Sequence, residues 1–396
     1  MAAACPRTGI ADLEERGILQ LGRGKVISKK DLAASPGAYP VYSSAKENDG
    51  KFGEYGEYMF DEELITWSVD GGGRLFHRPK HRFSITNVGG FVRILDTEKV
   101  DCRYLYFVLT YLHSQVRFDW VRKAHPSVIR KVYTDFPLPS LAEQKRIVAV
   151  LDQAFAALDR ACANAEANLA DAKELFPSIL GEAFKPEAPW PIISISDLIA
   201  GEVIERPIDG NHGETHPKKA DFVDTGVPFI MASDLHDGLV DQEDCYFITR
   251  EQADALRKGF AKHGDVLLSH KGTIGRTAIL TTSLDYVMLT PQVTYYRVIN
   301  PSRLDHEFLF YCFQSADFQK QMQEIAGIGA TRAYIGITRQ HDLRLPLPAI
   351  EDQKTLVTKF KAARAKSRPL LEGYQIALSD LDDLRQSILH KAFAGS

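Results

Sequence analysis

The chain has 396 residues, 44% apolar and 25% charged, with a formal net charge of −4. That length implies more than one domain. The near-neutral balance excludes a globally basic nucleic-acid binder, so positive charge for such a partner has to be local. Five scattered cysteines (Cys5, Cys102, Cys162, Cys245 and Cys312) include no CxxC, which argues against a disulfide framework or cysteine metal cluster and for a reducing compartment. The N-terminus MAAACPRTG lacks the apolar core of a signal peptide, and the apolar run Tyr104–Leu112 is too short to span a bilayer, so the chain reads as cytoplasmic.

In chain order, residues 1–137 form a first globular segment. Glycines at 50, 53, 56 and 71–73 separate β-type runs at Leu64–Val69, Phe83–Ile85 and Gly90–Leu95, and a helix is expected over Arg103–Val121. The segment closes on Phe136-Pro137-Leu138-Pro139. Residues 138–184 then read as one long helix. Apolar or small residues fall at Ile147, Leu151, Phe155, Leu158, Cys162, Ala165, Leu169, Ala172, Phe176 and Ile179, a period close to that of a coiled-coil seam. Ser140 with Glu143 three residues on suggests a capping box. Residues 185–346 form a second globular segment, entered through a Pro-rich joint at 185–191. Its strand candidates are Val227–Met231, Asp265–Ser269, Thr277–Thr281 and Val293–Ile299, with a helix over Asp305–Ile325. Residues 347–396 read as a second long helix and the C-terminus.

The two helices are copies. Shifted by 209 positions, Leu138–Phe184 matches Leu347–Phe393 without a gap at 15 of 47 positions, where unrelated segments would share about three. The identities cluster at the ends: LPxxxxQK at the start, with Gln144, Lys145, Gln353 and Lys354, and SIL..AF at the finish. The second copy keeps Phe360, Leu371, Tyr374, Leu378, Leu381 and Ile388 in register, but has Arg364, Ser367 and Arg385 where the first has Phe155, Leu158 and Phe176. Its seam is therefore expected to be weaker and partly solvated. Pro177 and Pro369 are expected to kink or interrupt their helices. A helix of about 45 residues is about 65 Å long and cannot bury its stripe alone. The economical partner is the other copy, as an antiparallel intramolecular coiled coil. The expected fold is α+β: two β-rich modules separated by two long paired helices.

Catalytic motifs fail on inventory. There is no GxxxxGK[ST], the GxGxxG test breaks at Arg332, and no [DN]PP[YF] occurs. Asp135 with Glu143 and Lys145 imitates a metal-nuclease pattern, but the other copy places Arg344 where Asp135 stands. His212-Gly213-Glu214 lacks the PCxxC of a zinc deaminase. Positive charge clusters instead, in what read as loops. The first segment offers Arg74, His77, Arg78, Lys80, His81 and Arg82, then Arg122, Lys123, Arg130 and Lys131. The second offers Lys218, Lys219, Lys271, Thr273, Arg276, Thr331, Arg332 and Arg339. These can position phosphates or read guanine, and Asn211 and Gln292 can read adenine. A basic loop is more often merely solvated, so these are candidates by cluster rather than singly.

Two divergent modules alternating with two repeated helices, each entered through LPxxxxQK and left through SIL..AF, resemble the specificity subunit of type I restriction–modification systems. The runs Val227-Pro228-Phe229-Ile230, Lys271-Gly272-Thr273-Ile274-Gly275-Arg276 and Gly37–Ser43 also look like that family's target-recognition domains. The resemblance implies that each module reads half of a bipartite, asymmetric double-stranded DNA site and that the helices set the gap. It implies that Gln144, Lys145, Leu151, Leu158, Leu169, Gln353, Lys354, Phe360 and Leu378 belong to the spacer and help dock two methyltransferase subunits. S-adenosylmethionine and ATP with Mg would then belong to modification and restriction partners, with no cofactor or metal in this non-catalytic chain. A type II-like enzyme with a fused methyltransferase–nuclease partner, and a protein-binding adaptor, are the alternatives.

Overall fold

The structure, a computed structural model, describes residues 5–44, 48–70, 72–116, 118, 123–185, 190–212, 216–327 and 334–394. It forms two compact units: residues 1–167 with 375–396, and residues 168–374. Each unit owns a β-rich module and one end of both long helices, which run over Leu141–Ala183 and Ile350–Phe393. No helix among the described residues is long and apolar enough to cross a membrane.

In the first unit a six-stranded sheet runs in the order Leu19–Arg23, Gly89–Ile94, Phe60–Ser68, Leu75–Ile85, Tyr39–Tyr42, Lys51–Tyr55. All its pairs are antiparallel except Tyr39–Tyr42 with Leu75–Ile85. The helix Cys102–Ser114 is capped by Asp101, whose side chain accepts from the Tyr104 N–H at 2.8 Å. Its buried face (Tyr104, Leu105, Phe107, Val108, Leu109) joins Trp67, Val69 and Val92 in one core with Leu151, Phe155, Leu158, Leu389 and Phe393 of the long helices. This helix ends at Ser114, short of the expected Val121.

In the second unit one antiparallel sheet runs Ile208–Asp209, Val293–Tyr296, Val266–Ser269, Thr277–Ile279. Another runs Tyr246–Ile248, Val227–Ile230, Val287–Leu289, Phe260–Ala261, with its central pair parallel. The single helix expected over 305–325 is two, His306–Gln314 and Ala316–Ala326. The break is local chemistry. Ser315 takes an extended conformation and its hydroxyl accepts from the Phe318 N–H at 3.3 Å, so it caps a new helix rather than continuing the old one.

The repeated helix start has a packing reason. Gln144 is fully buried; its Oε1 accepts from the Asp101 N–H at 2.9 Å and its Nε2 donates to the Lys99 and Pro139 carbonyls, both at 2.9 Å. Gln353, also fully buried, does the same in the second unit: Oε1 accepts from the Asp305 N–H at 2.9 Å, and Nε2 donates to Arg303 and Pro348 at 2.9 and 2.8 Å. Each glutamine thus ties the start of a long helix to the N-cap of its module's own helix. Of the expected capping box, the Glu143 N–H to Ser140 hydroxyl bond forms at 3.4 Å, while the Glu143 carboxylate pairs with Arg146.

The seam also repeats, with its partners exchanged. In the first unit the Arg385 guanidinium lies 4.8 Å from the Phe155 ring centre and pairs with Asp159. In the second unit Arg364 lies 5.8 Å from Phe176 and 5.6 Å from Phe310 and bonds the Asp237 carbonyl. Position 364 is the copy of 155, and 385 is the copy of 176. Each Arg/Phe contact is therefore the other with its two helices swapped, which is what antiparallel packing of two copies produces. Ser367 is buried, but Arg364 and Arg385 keep part of their exposure, so the seam is partly solvated there, with each guanidinium set over an aromatic ring.

Of the expected kink or interruption, the interruption does not occur: Pro177 and Pro369 lie inside helices that continue past them. Both sit on exposed turns, where the carbonyl that a proline leaves unpaired can be hydrated. A proline in an exposed helix interior still costs up to about 3 kcal/mol relative to alanine. Pro369→Ala is therefore expected to raise the thermal unfolding midpoint, by an amount equivalent to about 1–3 kcal/mol.

Candidate nucleic-acid interface

In the first unit the basic cluster lies on a strand, not in a loop as expected. His77, Arg78, Lys80, His81 and Arg82 belong to Leu75–Ile85, and Arg74 directly precedes it. Alternation alone would put positions 78, 80 and 82 on one face; a bulge between Arg78 and His81, opposite Glu62–Leu64, sorts them instead. Lys80 and Arg82 are exposed, with Arg82 bonded to Asp61 at 3.1 Å. Arg78 turns inward, at 5% exposure. It donates to the Thr66 hydroxyl at 3.1 Å and to the Asp49 carbonyl at 2.5 Å, with Tyr42 and Phe76 rings 3.6 and 4.6 Å away. Burial lowers the pKa of this guanidinium. Arg78 is therefore a core arginine and not a surface DNA contact. His77 bonds Glu63 at 2.6 Å and faces the Arg103 guanidinium at 3.0 Å, while Arg103 pairs with Asp152 at 2.6 Å. Arg74, His77 and Arg78 border a cavity of about 440 Å³ that Arg103, Tyr106 and Arg385 help to line.

Glu63, His77 and Cys102 place one potential ligand atom each within 4.8 Å of one another. Both nitrogens of His77 are engaged, one by a guanidinium, and burial together with Glu63 and Asp101 holds the Cys102 thiol far above its ordinary pKa. Glu63 and His77 are better described as part of the ion-pair chain running through Arg103 to Asp152 than as ligands of a cation site.

In the second unit Lys218 and Lys219 are exposed at a short 3-10 turn, where the Lys218 N–H donates to the Asp221 carboxylate at 2.7 Å. Lys271 and Thr273 are exposed in the loop between Val266–Ser269 and Thr277–Ile279. Arg276, at the end of that loop, donates to the Ala232 and Ser233 carbonyls at 3.2 and 3.3 Å and so braces the loop. Asn211 is 5% exposed, with its amide spent on Lys258 and Arg257 backbone, which removes it as an adenine reader. Arg122, Thr331 and Arg332 lie outside the described residues. Of the spacer candidates, Leu151, Leu158 and Phe360 are buried and Leu169 and Leu378 half-buried along the seam. Lys145 and Lys354 are exposed beside the buried glutamines.

The structure brings Lys271 and Gln292 together on a pocket of about 300 Å³. Phe222 and Phe229 wall it, with ring centres 6.1 Å apart, and Thr290 and His216 complete it. His216 and Thr290 escaped the sequence reading because nothing in their spacing marks them; the strand pairing around Thr290 decides their proximity. His212, a decoy in the sequence, anchors the same region: its Nε2 bonds Asp209 at 2.6 Å, and Lys258 pairs with the other carboxylate oxygen. Burial opposes ionisation of Asp209, but Lys258 and His212 outweigh it and hold the carboxyl below its ordinary pKa. A folded value below the unfolded one means that its stabilisation is present above the usual carboxylate range and is lost as the pH falls through the folded value. Asp209→Asn is expected to be less stable than the parent at neutral pH and to lose less on acidification; urea unfolding between about pH 6 and pH 2 reads both.

Comparison with known proteins places this arrangement. A family model described as the type I restriction modification DNA specificity domain matches residues 13–166 and 200–368. The specificity subunit of the type I restriction enzyme MjaVIII from Methanocaldococcus jannaschii is 24% identical over 355 residues, covering 82% of this chain and 79% of that protein. The putative type I specificity subunit S.MpnORF285P from Mycoplasma pneumoniae is 30% identical over 139 residues, which is 34% of this chain and 45% of that protein. With several Mycoplasma relatives the match spans only about half of their length. A solved chain from work on complex assembly and conformational transition of the type I R-M system has a TM-score of 0.69 at 17% identity, covering 94% of this chain and 97% of that one. The HsdS subunit from Thermoanaerobacter tengcongensis has a TM-score of 0.51 at 17% identity, covering 96% and 97%. At such identity the structural likeness carries the fold alone. The family model, however, takes in most of the chain and both halves of it, so this protein belongs to the type I restriction modification DNA specificity family.

Proposed function

We propose that the chain is the non-catalytic DNA-recognition subunit of a cytoplasmic restriction–modification complex. The module within 1–137 reads one half of a bipartite, asymmetric site, and the module within 185–346 reads the other. The paired helices set the gap and dock two modification subunits. One observation carries this reading. The scaffold is built twice, down to the equivalent glutamine anchors and exchanged Arg/Phe contacts, whereas the modules it holds differ in sheet architecture. A duplicated support bearing unlike readers suits a site with two unlike halves, and linking two readers raises the effective concentration of the second once the first has bound.

Docking has a candidate footprint. Leu175 and Leu384 occupy equivalent positions of the two copies and are 38% and 47% exposed. Identical leucines kept outside the seam of both helices suit two equivalent partner contacts. The cofactors of methylation and restriction, S-adenosylmethionine and ATP with Mg, then belong to those partners.

The test is an adenine-methylation map of the host genome with the gene intact and deleted. Loss of one motif made of two short half-sites around a fixed gap is the expected result. Loss of none, in a host where the partner subunits are expressed, overturns the reading and leaves the protein-binding adaptor. Binding of the assembled complex to the mapped duplex should weaken steeply with salt, because phosphate contacts release counterions.

A further inference from the structure

Thr290 has a fully employed backbone and an unemployed side chain. Its N–H donates to Ile230 at 2.9 Å, and its carbonyl accepts from Gly210 and Val293 at 3.3 and 3.2 Å. Its hydroxyl, on a residue 3% exposed, has no hydrogen-bond partner among the described residues. A buried hydroxyl without a partner is costly and uncommon, so it asks for an explanation. The Nδ1 of His216, on the same pocket, is also buried and without a partner among the described residues. Gln292, at the rim, takes a bond from the Ala232 N–H at 3.4 Å on its Oε1, which leaves its amide N–H groups as donors. Phe222 and Phe229 supply apolar walls, and the exposed Lys271 supplies a charge for a phosphate.

We infer that this pocket receives one amino-bearing nucleobase, adenine or cytosine, of the DNA half-site read by the second module. This rests on the DNA-recognition role proposed above and deepens it. Thr290 accepts from the exocyclic amino group, Gln292 donates to the adjacent ring nitrogen, and the aromatic walls hold the ring. A guanine N1–H or thymine N3–H would meet the amide N–H of Gln292 instead, so those bases are rejected by repulsion as well as by a missing bond. The cavity, about 300 Å³, is large enough for a single base. Because the Thr290 hydroxyl oxygen is buried, the base has to enter rather than only show its edge at the rim.

The experiment starts from the methylation map, which supplies the duplex. Duplexes of the mapped site are made with each adenine or cytosine of the second half-site replaced, one at a time, by its analogue lacking the amino group. The assembled complex containing the parent chain should lose about tenfold or more in affinity at one position. The complex containing Thr290→Val should bind the unmodified duplex correspondingly more weakly and show little further loss at that position, while first-half positions respond as in the parent. Since the hydroxyl makes no bond among the described residues, Thr290→Val should unfold no earlier than the parent. If it does unfold earlier, Thr290→Ser replaces it: keeping the hydroxyl, it should discriminate like the parent. Equal analogue sensitivity in Thr290→Val and parent, or loss of discrimination in Thr290→Ser, overturns the pocket assignment and leaves the recognition role standing. A genome map with no motif that depends on this chain overturns both.

Discussion

Gln144→Ala and Gln353→Ala are each expected to lower the stability of their own unit by about 3 kcal/mol, a large effect for a single side chain. Each substitution strands one backbone N–H and two backbone carbonyls that the glutamine satisfies. The carboxamide has a donor pair and an acceptor in one plane, and alanine replaces none of them. Some of the stranded groups are only part-buried and can recover water, which holds the loss near 3 kcal/mol instead of the sum of three full desolvation penalties. The effect should also be local. Hydrogen exchange should accelerate around residues 99–105 in the first variant and around 303–309 in the second, with the opposite unit unchanged. Equal loosening of both units in either variant would show that the anchors do not act separately.

Lengthening both long helices by seven residues, at equivalent points near residue 165 and near residue 374, is expected to move the preferred gap of the proposed DNA site by about three base pairs. Seven helical residues add about 10.5 Å, and a base pair rises about 3.4 Å. Seven is the appropriate insertion because the buried and half-buried positions recur with a 3-4 alternation, seen at Val357, Phe360, Arg364, Ser367, Leu371 and Tyr374, and a full heptad keeps that register. The complex should stop methylating sites with the parent gap and begin methylating longer ones, with both half-sites unchanged. An unaltered gap would end the spacer idea while leaving the identity of the readers intact. A seven-residue insertion in one helix alone should instead destabilise the protein, since it shifts Arg364 or Arg385 away from its phenylalanine.

How much of this was legible in the sequence differs between the helices and the modules. A long amphipathic helix is a local object: its period, its cap and its copy all lie on one stretch of chain. The long helices at Leu141–Ala183 and Ile350–Phe393 and their antiparallel pairing were therefore readable from spacing alone. The strands Val227–Ile230, Val266–Ser269 and Val293–Tyr296 were readable to within a few residues for the same reason. Neither proline interrupts its helix, because a long helix with exposed turns at Pro177 and Pro369 can absorb a missing bond.

What the tertiary structure alone decided is which polar residues face inward. Gln144 and Gln353 looked like surface docking residues because glutamine is mostly exposed; only the position of the Asp101 and Asp305 caps turns them into buried anchors. Arg78 counted as one more basic residue until the pleat of its strand pointed it between Tyr42 and Phe76. Thr290 and His216 carry no signal at all: Thr290 lies two residues from Gln292, and only the fold brings His216 and Lys271 to the same pocket. Sequence by itself determined the repeat, the helices and hence the family, because those depend on local period and copied motifs. Contacts between residues distant in the chain chose which side chains read and which hold, because burial and hydrogen-bond pairing are properties of the folded surroundings.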